Sequence, residues 1–265
     1  MSIICQNSFE IKGSEEDIAK LKEAVLVTID SEDATEDQIA KSYLTNDNKR
    51  MFFDFNGIVP IPEELIQIKN LSSAGLNALK LLNLRNNIPF KDVLYHKDKN
   101  EIIEFAENEF KLNEVGNINT DELCNIFLNM ETEQKTSFLR QCSIDIDLGK
   151  KYLDNITKYG FPDAIGFCIE EWGTRHNAEF LILNKDTPTE FSGSFTTLHK
   201  EPQQFWHRVI RKFPNLEVTV RYFEPIIGNA GTISKSGKNT ELRRVYADEL
   251  HEFGKKYFGY EYPKD

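Results

Sequence analysis

Apolar residues crowd positions 3–11 (Ile3, Ile4, Cys5, Phe9, Ile11), a strand pattern that stops at Gly13. Ser14 then sits as an N-cap before Glu15, Glu16 and Asp17, where negative charge suits the first turn of a helix. Ile18, Leu21, Ala24 and Val25 recur at i, i+3, i+6 and i+7, which predicts an amphipathic helix over 15–26. After an acidic loop at 30–37 come a short helix at 36–43 and an aromatic-rich strand at 50–58. Pro60 and Pro62 end that strand, and Pro62 opens a helical first turn.

From about 62 to 158 the pattern is helical, with segments at 73–84, 98–111, 120–130, 132–142 and 146–158. In 101–110 Ile102, Ile103, Ala106 and Phe110 share one face and glutamates line the other. Beyond 160 the period changes. Residues 179–184 and 190–197 read as strands, and a helix opens at Pro202 with Phe205, Val209 and Ile210 facing inward. Leu216, Val218, Val220 and Tyr222 alternate as a half-buried strand, and 226–234 pairs with it as a hairpin. The tail from Arg243 to Phe258 reads as a last helix.

Helices segregated over a mostly antiparallel sheet make an α+β protein. The order is that of a ferredoxin-like βαββαβ core, formed by 1–60 and 160–265, with helices on one face and a helical insertion at 61–159. The strand at 51–58 is expected in the same sheet as the first strand and the strands after 178.

Charge changes the picture more than overall composition does. The 265 residues hold 32 basic and 43 acidic side chains, a net of −11. Residues 101–150 contain 11 acidic and 4 basic groups, a net of −7, whereas 201–265 hold 11 basic and 9 acidic, a net of +2. That balance argues against a general nucleic-acid coat. No apolar run reaches the roughly 18 residues of a membrane span, and the N-terminus lacks a secretory pattern, so a cytoplasmic location is expected. Cys5, Cys124, Cys142 and Cys168 show neither CxxC nor metal spacing, so reduced thiols and no metal are expected.

Two segments carry a family resemblance. One is Phe53-Asp54-Phe55-Asn56-Gly57-Ile58-Val59-Pro60-Ile61-Pro62-Glu63-Glu64-Leu65. The other runs from Trp172-Gly173-Thr174-Arg175-His176-Asn177-Ala178 through Phe195-Thr196-Thr197, Pro202 and Phe213-Pro214 to Tyr222-Phe223-Glu224 and Gly228. They resemble the Api92-like family, also called the YubB ferredoxin-like or DUF1281 family, encoded largely by phages, plasmids and other mobile elements. The resemblance touches roughly 3–66 and 160–238. It implies a ferredoxin-like fold and a mobile-element origin, and it brings no activity with it. Arg175 stands where the family usually has Lys, His176 where it has a second Trp, and Leu198-His199-Lys200-Glu201 where it has a Trp-Ser-Pro turn. An aromatic ligand platform at these positions would be weakened here.

The densest polar-aromatic cluster is Trp172, Thr174, Arg175, His176 and Asn177. As a binding site it would offer Arg175 to an anion, His176 as acid or base and Trp172 as a stacking face. As a turn into a strand, Gly173 would take an unusual backbone angle, Thr174 and Asn177 would bond locally and Trp172 would anchor the core. The second candidate surface is the acidic helical block, with Glu104, Glu107 and Glu109 at its centre. Such a surface imitates a nucleic-acid backbone and attracts a basic protein. The function expected is therefore a non-catalytic accessory protein that binds and inhibits or modulates a host protein, a defence component among the candidates, without a cofactor. The alternatives are a nucleic-acid or nucleotide reader using the sheet face with Arg208, Arg211, Lys212, Arg221, Arg243 and Arg244, or a small enzyme around Arg175 and His176.

Overall fold

The computed structural model divides the chain into two units, Met1–Ile61 with Ile165–Asp265, and Pro62–Ala164. Residues 3–68, 70–83, 88–94, 99–111 and 114–261 are described, the side chains of Glu109, Phe110, Cys124 and Leu128 excepted.

The first unit begins with β1 (Ile4–Lys12) and α1 (Glu15–Val25), whose N-cap Ser14 accepts a hydrogen bond from the Asp17 amide. β2 (Leu26–Asp30) follows directly, then α2 (Glu36–Lys41), β3 (Tyr43–Leu44) and β4 (Lys49–Phe53). The second unit supplies α3 (Glu63–Ile66), α4 (Ser73–Leu82), α5 (Phe90–Val93), α6 (Lys99–Phe110), α7 (Thr120–Asn129), α8 (Thr132–Gln141) and α9 (Ile146–Tyr159). Back in the first unit come α10 (Ala164–Glu171), β5 (Glu179–Asp186), β6 (Glu190–Leu198), α11 (Gln203–Lys212), β7 (Glu217–Glu224), β8 (Asn229–Ser236), β9 (Asn239–Val245) and α12 (Ala247–Phe258).

The large sheet has the order β5-β6-β1-β7-β8-β9 and is antiparallel throughout. Its first four strands, with α1 and α11, have the ferredoxin-like order, in which β6 is inserted between β1 and β5. β8 and β9 widen the sheet beyond β7.

Alternation along β1 decides the two faces. Cys5, Asn7, Phe9 and Ile11 are buried, and opposite them in register lie Phe191, Phe195, Val218, Val220 and Tyr222. Ile18, Leu21 and Val25 of α1, and Phe205, Trp206 and Val209 of α11, cover this face. The other face of β1, β6 and β7 is polar: Gln6, Ser8, Glu10, Ser192, Ser194, Thr196, Thr219 and Arg221. Its aromatic residue, Phe223, is buried under α12, stacked on Phe258 at 5.5 Å and edge-on to Tyr260. Gly254 lets α12 approach this closely, because a Cβ there would lie 2.6 Å from the Phe223 ring.

The second unit packs helices around Phe90, Val93, Ala106, Leu123 and Phe138. α4 and α9 meet through two glycines: a Cβ on Gly75 would strike the Tyr152 ring, and one on Gly149 would lie 2.4 Å from the Ala78 Cβ. No described helix is long and apolar enough to cross a membrane.

Two expectations fail. The strand at 49–53 does not join the large sheet but forms a three-stranded one, β2-β4-β3. Both edges of β1 are already taken by β6 and β7, and β5 closes the β6 edge, so 49–53 pairs with β2 instead. The segment 243–258 is not one helix. Arg243 and Arg244 belong to β9, and the helix starts at Ala247. β9 is exposed along both faces, so no alternation marks it, and its cue is the Gly237-Lys238 turn, where Gly237 has φ +56°.

Phe53 ties the small sheet to the core. Its ring is stacked on Phe195 at 5.0 Å, lies 5.4 Å from Phe9 and meets Phe205 edge-on. Phe53→Ala is expected to lower unfolding free energy by roughly 3–5 kcal/mol, read from denaturant midpoints. A loss of less than about 1 kcal/mol would show that the aromatic cluster does not depend on it.

Candidate functional site

The two segments that carry the family resemblance meet in space. Asn177 is their junction. Its Oδ1 accepts from the backbone amides of Phe55 and Ala178, both at 2.9 Å, and its Nδ2 donates to Asp54 Oδ1 at 2.6 Å. The same Asp54 oxygen accepts from the amide and the side chain of Asn56, and Asn56 Oδ1 in turn accepts from the Ile61 amide. The Asp54 amide donates to the Val25 carbonyl at 2.7 Å. Short polar side chains that bond to nearby backbone fix irregular chain where no ladder can.

Trp172 is 2% exposed. Its Nε1 donates to the Val59 carbonyl at 2.9 Å, and its ring stands edge-on to Phe55. Thr174, also buried, donates to the Leu198 carbonyl. Gly173 has φ +88°, and a Cβ there would lie 2.9 Å from the Gln203 amide, so the turn under the start of α11 requires glycine. Within the expected site, Trp172, Thr174 and Asn177 thus bond inside the protein, while Arg175 and His176 are exposed.

His176 and Asn177 line a cleft of about 440 Å³ beside the small sheet, walled by Val27, Phe52 and Ala178. Lys41 lies in it between Glu179, at 2.9 Å, and Asp37, at 3.1 Å. Hydrogen bonds to Glu179 and then Asp37 hold the Lys41 ammonium above its ordinary pKa. Partial burial of the His176 ring, reinforced by the Arg175 charge, pushes its pKa below the ordinary value. Among the described residues the His176 ring makes no hydrogen bond to a hydroxyl, thiol or carboxylate. Burial raises the thiols of Cys5 and Cys142, the latter to about 12, which leaves both protonated and unreactive. No group of His, Cys, Asp and Glu among the described residues has metal-holding geometry.

The acidic block lies in the second unit. Glu101 and Glu104 are exposed on α6 and Glu107 is half-buried, while Ile103 and Ala106 turn to the core. The Glu109 side chain lies outside the described residues. Glu101, Glu104, Glu107, Glu114 and Glu133 make no ion pair among the described residues. Ion pairs occur in both units: Glu10 with Arg221, Glu171 with Arg208, Asp186 with Lys22, Glu190 with Lys185 and Glu249 with Arg243 in the first, Glu64 with Lys158 and Asp147 with Lys150 in the second. The second unit also holds an apolar cavity of about 280 Å³ between Leu81, Leu123, Phe127, Phe138 and Ile146, with no titratable lining group among the described residues.

The sequence reading missed Lys41 and Glu179. Nothing in their local spacing marks them, because the cleft exists only once β5 lies beside the small sheet. Asp54 did carry a signal, since it stands inside the first distinctive segment.

No family model matches the chain, and no curated protein matches it. A solved structure similar to it is the crystal structure of a protein Api92 from Yersinia pseudotuberculosis, described with the family model DUF1281. The two are 12% identical over 93% of this chain and 99% of that one, with a TM-score of 0.39. It bears the family name given by the sequence resemblance, and its description states no activity, ligand or partner.

Two outcomes check this geometry. Asn177→Ala leaves the Phe55 amide without its acceptor and is expected to cost roughly 1–3 kcal/mol in a denaturant melt. His176 should titrate below 6.5 by NMR. The unfolded chain then binds the proton more readily than the folded one. His176 therefore makes its full contribution above the unfolded value and loses it as pH falls through 6.5. His176→Gln should flatten that part of the stability profile.

Proposed function

We propose that the chain is a non-catalytic binding protein that captures a basic surface of a host protein with the acidic face of its helical unit. The observation that carries this is that Glu101, Glu104, Glu107, Glu114 and Glu133, on α6 and after it, make no ion pair among the described residues. Unpaired carboxylates keep their full field, and such a field raises the encounter rate with an oppositely charged partner. Inhibition or modulation of a host protein, a defence component among the candidates, and a mobile-element origin complete the reading. The origin comes from the sequence resemblance, and the mode of action from the acidic helical block.

Some of the side chains of the nucleic-acid reading are otherwise engaged. A nucleic-acid reader of ferredoxin-like type stacks bases on aromatics of its sheet. Here Phe223, on the polar face, is buried, and Arg221 is paired with Glu10. Arg208, Arg211 and Lys212 belong to α11, which covers the opposite face. An enzyme centred on His176 would need a nucleophile or an orienting carboxylate bonded to the ring.

Reversing Glu101, Glu104 and Glu107 to Lys is expected to slow association with the partner several-fold while leaving the melting curve unchanged. The wild-type rate should fall as salt shortens the screening length below about 10 Å. Surface plasmon resonance across a salt series, with the partner captured from host lysate, reads both. Rates indifferent to salt and to the reversals would remove the acidic face from the function.

A further inference from the structure

We propose that two copies of the chain join edge to edge through β9, antiparallel, about a two-fold axis at Leu242. The large sheet ends in two unlike edges. β5 is blunted by two register shifts and by Phe180, whose backbone turns left-handed at φ +56°. Bulges of this kind discourage a further strand. β9 has no such device. Its register runs unbroken from Ser236↔Asn239 to Ala230↔Val245, it contains neither Pro nor Gly, and Asn239 to Arg244 are all exposed.

The backbone pattern of β9 suits a second copy. A two-residue turn, Gly237-Lys238, closes the hairpin on a hydrogen-bonded pair, Ser236 with Asn239. Asn239, Glu241, Arg243 and Val245 therefore turn their backbone groups to β8, and Thr240, Leu242 and Arg244 turn theirs outward. A two-fold axis at Leu242 sets Leu242 opposite its own copy and Thr240 opposite Arg244, all at hydrogen-bonded positions. Glu241 then falls opposite the second copy's Arg243 at a non-hydrogen-bonded position, where Cα atoms are about 4.5 Å apart and side chains come closest. The axis repeats that pair, so the strand is charge-complementary to itself. Arg243 already meets Glu249 at 2.6 Å, and its remaining guanidinium donors are enough for a second carboxylate. Leu242 is 38% exposed in one copy and would be covered by the other. An edge of seven residues is small for an interface, so the dimer would form reversibly at micromolar concentration.

Sedimentation velocity or light scattering over about 1–200 µM tests the proposal, that range bracketing a reversible micromolar dimer. The wild type should move from the 30.7 kDa chain mass to twice that mass. Glu241→Arg sets arginine against arginine and should abolish the shift. Arg243→Glu sets glutamate against glutamate and should do the same. A mixture of the two variants restores both opposite-sign pairs and should dimerise where neither does alone. Thr240→Pro removes an outward N–H without touching the β8 ladder and should also give a monomer, with circular dichroism confirming the fold. A wild type that stays monomeric throughout, single variants that still dimerise, or a mixture that stays monomeric would each overturn the proposal.

Discussion

The central position of β1 constrains everything else in the first unit. Both of its edges are filled by strands distant in the sequence, β6 on one side, where Lys12 pairs with Glu190, and β7 on the other, where Lys12 pairs with Glu217. Closing such a loop costs conformational entropy that grows slowly with length, so a long intervening segment is tolerated once the pairing is strong. The pairing is strong because the buried face of β1 sets Phe9 among Phe191, Phe195, Phe53 and Trp206, with centroids 5.0–6.1 Å apart. Removing that strand would leave β6 and β7 as two separate edges with an uncovered aromatic face.

Once β1 is enclosed, the segment after α1 has no place in the large sheet. It forms its own small sheet and contributes the buried Phe53 and Phe55 to the common core, with Leu26, Tyr43 and Met51 packed against it. The polar junction of Asn177, Asp54 and Asn56 then fixes irregular backbone that no ladder serves. This accounts for the two distinctive sequence segments as halves of one joint rather than as a collection of exposed functional groups. Of the WGTRHN residues, Arg175 and His176 are the two that face out.

Elements with a periodic apolar face were legible in the sequence. α1, α6, α9, α11, β1 and β7 all bury one stripe, and burial imposes the period. The misreadings fall where burial imposes nothing. β9 is exposed on both faces, so its Arg243-Arg244 pair reads as the start of a helix. β2 continues from Val25 to Leu26 with neither Gly nor Pro to mark the change from helix to strand. Strand partners are set by which edges are free, a property of the whole sheet that local pattern does not contain. For the same reason the cleft around Lys41 and Glu179 could not be anticipated, whereas the acidic bias of 101–150 could be counted directly.

The two surfaces respond to charge in opposite ways, which separates them physically. A chain of net −11 repels its own copy at long range, and the acidic helical block adds most to that repulsion. β9 is the place where the repulsion is locally relieved, since Asn239–Val245 carries one carboxylate and two guanidinium groups. Salt screens the long-range repulsion but reaches less fully into close cross-strand pairs, so it favours edge pairing. The same salt weakens the attraction between the unpaired glutamates and a basic partner. A dimer also presents the acidic face twice. Against a partner with two basic surfaces within reach, the second contact becomes intramolecular, and modest single-site affinity becomes tight binding without any further contact. Edge pairing through a strand that gives only Val245 to the cluster around Phe223 would thus let the chain strengthen an electrostatic surface without enlarging it.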